Sequence, residues 1–198
     1  GIKPTEHILN RYSEINLSQW KLLELGKLTR EEVLVRRYEI LFQEVGMSCD
    51  AKKISEKYED FLGEGHYFIP GAKELLEDLS KKYHLYLASN GAVKVQMSRI
   101  QSAGIEKYLE KIFLSEQIGY EKPSPQFFEK CFAQIPNFKK EEALILGDSL
   151  TSDIRGGKNA GILTVWFHPS GKKVEEEIVP DYEIGKLEEL KTILSFYS

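Results

Sequence analysis

From Pro70-Gly71 onward, helix-patterned segments alternate with short apolar strand-patterned runs, and this alternation restricts the fold more than any other feature. An amphipathic stretch from Ala72 to Lys82 precedes the run His84 to Ala88, and a helix around Val93 to Ala103 stops at Gly104 before Lys111 to Leu114. Ser124 as N-cap and Pro125 in the first turn open another helix. The strand Ala143 to Leu146 follows, then a helix Ser152 to Ala160 ended by Gly161, then the strand Ile162 to Phe167. Asp181 to Ile184 reads as a short edge strand before a last helix, Leu187 to Leu194. Runs such as Ala143-Leu144-Ile145-Leu146 suit strands covered on both faces. The expected fold class is α/β, a parallel doubly wound sheet with helices on both sides.

The first third of the chain carries no strand pattern. Leu34, Tyr38, Leu41, Phe42 and Val45 recur at spacings of three and four, which marks one apolar helix face. Thr29 with Glu32 forms a capping-box start for that helix, and Gly46 is a natural stop. An earlier helix carries Tyr12, Ile15, Trp20 and Leu23, and a third covers Ala51 to Leu62. The chain can bend at Gly63-Glu64-Gly65 and at Pro70-Gly71. The expected division is a helical unit over residues 1–66 and an α/β unit over 67–198.

Composition excludes several classes of partner. A formal net charge of −4 gives no general attraction to nucleic acid or anionic lipid. Cys49 and Cys131 stand outside any metal or redox spacing, so two reduced thiols are expected. No apolar stretch approaches membrane-spanning length and there is no signal-peptide core, which leads to the expectation of a cytoplasmic protein. The partner expected is a small phosphorylated metabolite, with no nucleic acid polymer and no membrane, for a monomer or weak homodimer.

Three stretches carry chemistry, and each falls where a strand-like run ends or a loop begins. In open α/β sheets, ligands bind beyond the carboxyl ends of the strands. In Ser89-Asn90-Gly91, the hydroxyl can donate to a phosphate oxygen while the following amides point the same way; the alternative is that Ser89 caps the next helix. Lys122 precedes Pro123, which holds it in a loop. There it either neutralises a phosphoryl oxygen or is solvated. Asp148 ends an apolar run and Asp153 lies about one turn into the next helix, a spacing at which two carboxylates can share a magnesium ion. The alternative is that Asp148 caps that helix and Asp153 favours its positive end. Gly156-Gly157 points to a close approach of the helix to the sheet.

Taken in order, these stretches resemble motifs II, III and IV of the haloacid-dehalogenase-like hydrolase superfamily. The likeness covers about residues 70 to 167 and extends to Ser115-Glu116, Pro125, Phe128 and Ala160-Gly161. It implies a Rossmann-like core, with the helical segment as a C1-type cap. Trp20, Glu24, Gly26, Thr29 and Arg36-Arg37-Tyr38 resemble the cap of the branch that dephosphorylates pyrimidine nucleoside monophosphates. The implied activity is a magnesium-dependent phosphomonoester hydrolase working through an aspartyl-phosphate. On the matching positions, Ser89, Asn90 and Gly91 hold the phosphoryl group, Lys122 neutralises it, and Asp148 and Asp153 serve the Mg2+. Arg37 and Trp20 are the implied cap residues for substrate.

The superfamily's motif I, an Asp-x-Asp-Gly stretch on the first strand, has no counterpart: none of the six aspartates stands two residues from another. Such a strand with its turn and helix entry needs roughly 25–35 residues, and it is expected upstream of Gly1. The chain without it is expected to be inactive. Two rival readings stay open, a metal-free 2-haloacid dehalogenase and a non-catalytic phosphate-binding module. His7, His66, His84 and His168 share no metal-ligand spacing. Arg37 has Glu32 and Glu44 as expected ion-pair partners. Lys172-Lys173 with Glu175-Glu176-Glu177 reads as a solvated loop and helix start.

Overall fold

The computed structural model describes residues 4–171 and 177–197; Lys172, Lys173, Glu175 and Glu176 of the expected charged loop lie outside the described residues. The chain divides into two compact units, Gly1–Glu64 and Gly65–Ser198.

The first unit consists of α1 (Glu6–Glu24), α2 (Arg30–Glu44) and α3 (Ala51–Glu64). The start of α2 is a complete capping box. Thr29 Oγ1 accepts from the Glu32 amide at 3.3 Å, and Glu32 Oε2 accepts from the Thr29 amide at 2.7 Å. That amide holds the Glu32 carboxyl below its usual range. The buried face of α2, with Val33, Arg37, Tyr38 and Leu41, has neighbours in both α1 and α3. At the surface, Arg11 forks onto Glu44 with two bonds of 2.7 Å and reaches Glu14 at 2.7 Å.

The second unit runs α4 (Ala72–Leu79), β1 (Tyr86–Ser89), α5 (Val93–Ala103), β2 (Lys111–Leu114), α6 (Ser115–Ile118), α7 (Pro125–Phe132), β3 (Leu144–Gly147), α8 (Arg155–Ala160), β4 (Leu163–Phe167), β5 (Tyr182–Ile184) and α9 (Leu190–Leu194). All strand pairs are parallel. Side chains alternate along β3. Leu144 and Leu146 pack into a cluster with Leu75, Val165, Ile184, Leu190 and Ile193. Ala143 and Ile145 face the opposite cluster, built from Phe113, Phe127, Phe128, Cys131 and Ala160. Helices α4 and α9 therefore cover one face and α7 and α8 the other, which is the doubly wound arrangement.

The sheet is divided in two. Strands β1 and β2 form one hydrogen-bonded pair, and β3, β4 and β5 form a separate set of three. Tyr86 and Ala88 of β1 nevertheless join Ala143 and Ile145 in the same apolar cluster. Among the described residues, β1 and β3 each keep one edge without a strand partner.

Several boundaries differ from the sequence expectation, with local causes. The first strand is Tyr86–Ser89, so Ser89 is its last residue rather than the first residue beyond it. The expected helix Ser152 to Ala160 begins instead as a π-helical turn over Leu150–Ile154, then continues as α8. There the Ile154 amide bonds the Ser149 carbonyl at 3.1 Å, a five-residue step that widens the turn. The final helix starts as a 3-10 turn over Leu187–Glu189, and the four-residue α6 had no sequence expectation. Glycine sets how closely α8 can lie. A Cβ on Gly157 would stand 2.5 Å from Ile145 Cγ2, and one on Gly156 would stand 2.5 Å from Phe128 Cε2. No helix among the described residues is long and apolar enough to cross a membrane.

Candidate active site

The carboxyl ends of β1 and β3 carry the polar groups singled out by their spacing, and one lysine ties them together. Lys122 is only 6% exposed. Its Nζ donates to the Ala88 carbonyl of β1 at 2.7 Å and to Asp153 Oδ1, in the turn after β3, also at 2.7 Å. This excludes the solvated alternative. A buried ammonium needs partners to offset its lost hydration, and here a carbonyl dipole and a carboxylate supply them.

Asp153 is equally buried, at 7% exposed, and its Oδ2 accepts from the Ser149 amide at 3.1 Å. It can fold back in this way because residue 147 is glycine; a Cβ there would collide with the Asp153 carboxylate. Capping of the turn falls to Ser149, whose Oγ accepts from the Ser152 amide at 3.1 Å. The alternative in which Asp148 caps is therefore not realised. Asp148 lies exposed at the end of β3, and its side chain has no protein partner among the described residues. Only its carbonyl is engaged, accepting from Trp166 Nε1 at 2.9 Å.

Ser89 is not a helix cap. Its Oγ accepts from the Gly91 amide at 2.9 Å and from Gln96 Nε2 at 2.6 Å, while the residue capping α5 is Ala92. The Val93 amide at the head of α5 is met by Glu116 Oε2 at 2.8 Å. Asn90 uses both ends of its amide on the Lys122 backbone: Nδ2 donates to the carbonyl and Oδ1 accepts from the amide, each at 2.9 Å. The side chain thus clasps the lysine loop to the end of β1, while the backbone amide, the group the sequence pattern offers to a phosphate, takes no part in that clasp.

Magnesium keeps several waters and takes one or two carboxylates with substrate oxygens. No cluster of three or more His, Cys, Asp or Glu suited to a metal occurs among the described residues. The donors available are the Asp148 carboxylate, without a protein partner among the described residues, and Asp153, whose oxygens already serve Lys122 and Ser149. Those donors fit magnesium, Asp148 directly and Asp153 through its remaining lone pairs or a water.

In the helical unit, Arg37 is 4% exposed and pairs with neither Glu32 nor Glu44. Its Nη1 donates to Asn16 Oδ1 at 2.9 Å and its Nε to the Leu34 carbonyl at 3.2 Å. The guanidinium lies 5.1 Å from the Tyr38 ring centroid and 5.2 Å from that of Tyr58. Trp20 Nε1 reaches the same Asn16 oxygen at 3.2 Å, and Tyr12 stacks on Tyr38 at 5.5 Å. Burial, and then the bond from Tyr38, raise the Tyr12 phenol well above its ordinary range. Arg37 and Trp20, the two cap residues that the resemblance implies for substrate, thus meet at a shared asparagine.

Comparison with known proteins gives a consistent picture. Residues 1–167 match the family model described as haloacid dehalogenase-like hydrolase. The chain is 41% identical to the HAD-hydrolase YfnB of Bacillus subtilis, over 98% of this chain and 83% of that protein. A crystal structure of YfnB described as bound to magnesium superposes with a TM-score of 0.92, covering 98% of this chain and 85% of that one. Pyrimidine 5'-nucleotidase PynA of Streptococcus pneumoniae is 35% identical over 96% of this chain and 81% of that protein. The L-2-haloacid dehalogenase of Xanthobacter autotrophicus has the same fold, with a TM-score of 0.75 at 15% identity over 98% of this chain and 87% of that one.

Proposed function

The chain belongs to the haloacid dehalogenase-like hydrolases, and on that premise we propose that it houses the phosphate-handling groups of a magnesium-dependent phosphomonoester hydrolase acting on a small metabolite such as a nucleoside monophosphate. One observation carries this reading: a buried lysine links the end of β1 to Asp153, and the Asp148 carboxylate at the end of β3 has no protein partner among the described residues. A site that only stabilised the fold would have little reason to leave that carboxylate uncommitted at a strand end. The similarity to pyrimidine 5'-nucleotidase PynA supports the nucleotide substrate. The magnesium in the YfnB structure supports the cation.

In this reading the Ser89 hydroxyl and the Asn90 amide receive the phosphoryl oxygens, the Gly91 amide being engaged by Ser89 Oγ, and Lys122 neutralises their charge. Asp148 and Asp153 hold the magnesium, which would further offset phosphoryl charge. An aspartate carboxylate attacks phosphorus, the bond to the leaving oxygen breaks, and a second aspartate protonates that oxygen. Water then cleaves the aspartyl-phosphate to inorganic phosphate and the free carboxylate. Neither of these aspartates is among the 198 residues, which contain no Asp-x-Asp. The reading therefore requires them on a further strand, and the unpartnered edges of β1 and β3 are the place where one can pair.

The reaction class is tested by giving the protein, joined to an Asp-x-Asp strand, a panel of phosphomonoesters and 2-chloropropionate. Phosphate release that needs magnesium, greatest among nucleoside monophosphates, is the expected result. Chloride release without metal would replace the proposal with dehalogenation.

A further inference from the structure

A serine hydroxyl has one proton to donate and two lone pairs that accept. On Ser89 both acceptor positions are occupied, by the Gly91 amide at 2.9 Å and by Gln96 Nε2 at 2.6 Å. Its proton meets no acceptor among the described residues, although the side chain is half-buried. A hydroxyl held in this way can only donate, and the direction of donation is set by the two bonds it accepts. The loop amide comes from the strand end itself. The second donor comes from another element, the first turns of α5, and Glu116 pins that helix start through the Val93 amide at 2.8 Å.

Packing fixes the Gln96 side chain as well as its hydrogen bond. Its amide and Cγ occupy the space a Cβ would take on Gly91, so the glutamine lies flat against the loop that presents the amides. One Nε2 hydrogen is given to Ser89, which couples the glutamine to that hydroxyl.

We propose that Gln96 is a positioning residue of the phosphoryl site, whose amide directs the Ser89 proton toward the phosphoryl oxygen of a bound phosphomonoester. This rests on the phosphohydrolase reading. Without Gln96 one lone pair of Ser89 is open, and the hydroxyl can turn to donate elsewhere or to water. A carboxylate at the same place has no proton to give, so it accepts the Ser89 proton and turns the hydroxyl away from the ligand.

The test uses the protein joined to its Asp-x-Asp strand, with kcat and KM measured for p-nitrophenyl phosphate in Gln96→Met, Gln96→Glu, Ser89→Ala and the Ser89→Ala/Gln96→Met double variant. Methionine keeps the volume against Gly91 and removes the donor. The expected result is a loss of about tenfold in kcat/KM for Gln96→Met, roughly the weight of one hydrogen bond, and a larger loss for Gln96→Glu. Inorganic phosphate should inhibit both variants more weakly than the parent. In the Ser89→Ala background, Gln96→Met should cost no further activity, because the hydroxyl it steers is gone. Full additivity of the two substitutions, or a Gln96→Met enzyme with parental kcat/KM, overturns the assignment while leaving a working phosphatase. A parent that releases no phosphate overturns the reading beneath it, and the assignment with it. Melting curves for each variant separate a loss of fold from a loss of steering.

Discussion

Residues 1–198 alone should release no phosphate from p-nitrophenyl phosphate, whereas the same residues joined to a strand ending in Asp-x-Asp should release it in the presence of magnesium. In the proposed reading the 198 residues supply charge neutralisation and phosphate contacts, and the attacking group comes from the added strand. Binding and electrostatic groups that have lost their nucleophile retain only a small part of the rate, and the loss expected is at least about 10⁴-fold. The structure adds a second consequence. The edges of β1 and β3 lack a strand partner among the described residues, yet both strands feed one apolar cluster. A strand inserted between them should raise thermal stability even when both of its aspartates are changed to asparagine. That variant separates repair of the sheet from repair of the chemistry: it should melt as high as the active protein and turn over nothing. Turnover by residues 1–198 alone would show that the nucleophile lies elsewhere in the chain.

Lys122→Met should be the most damaging single substitution in the described chain. The lysine bridges Ala88 and Asp153, and both members of the ion pair are almost fully buried. Removing the cation leaves Asp153 with the Ser149 amide alone, and a buried carboxylate stripped of its counter-ion costs about 3–5 kcal/mol. Phosphoryl charge would go uncompensated at the same time, so activity should fall by about 10²–10³-fold, the effect of one lost electrostatic group. The double variant Lys122→Met/Asp153→Leu tells the two losses apart. With the pair replaced by apolar groups, most of the stability should return, as it does for other buried pairs, and the activity should not. Denaturant unfolding gives the first quantity and phosphate release the second. Equal stability of Lys122→Met and the parent would mean that the pair is not formed in solution.

How far the chain could be read beforehand depended on how local each determinant is. The capping box at Thr29 and Glu32, the strand Lys111–Leu114 and the helix Val93–Ala103 are fixed by neighbours in sequence, and they appear where the pattern puts them. The π-helical turn over Leu150–Ile154 was missed because its cause is not a helix signal. Ser149 caps through Oγ and Asp153 reaches back to the Ser149 amide, and together they widen a turn whose composition reads as ordinary helix.

Residue type, with a place at a strand end, in a loop or at a helix start, singles out Ser89, Lys122, Asp148 and Asp153 in the sequence. What those residues do to one another was not legible. A lysine is expected at the surface, and only tertiary structure buries this one between Ala88 and Asp153. The sequence pattern speaks only for the backbone amide of Asn90; that its side chain holds a backbone segment 32 positions away is a tertiary fact. Gln96 carried one faint signal, its place in the first turns of the helix that follows Ser89-Asn90-Gly91. Arg37 was paired in expectation with glutamates, since charge complementarity is the strongest pattern visible in a sequence. In the structure, Glu44 goes to Arg11, Glu32 goes to Thr29, and an asparagine and two tyrosine rings surround the arginine.

The convergence of Ser89, Lys122, Asp148 and Asp153 on one magnesium-dependent phosphoryl site is tested most directly at Asp148, the carboxylate the protein leaves unused. Phosphate release is measured across a magnesium titration, in the protein joined to its Asp-x-Asp strand, with Asp148 intact and with Asp148→Asn. Asparagine keeps the shape and one oxygen but loses the charge, and the side chain it replaces has no protein partner among the described residues, so the melting temperature should not move. The predicted result is saturable activation by magnesium in the parent and, in the variant, a requirement for at least about tenfold more magnesium with a lower ceiling. Identical magnesium curves for the two proteins would contradict a metal at Asp148 and the site built around it.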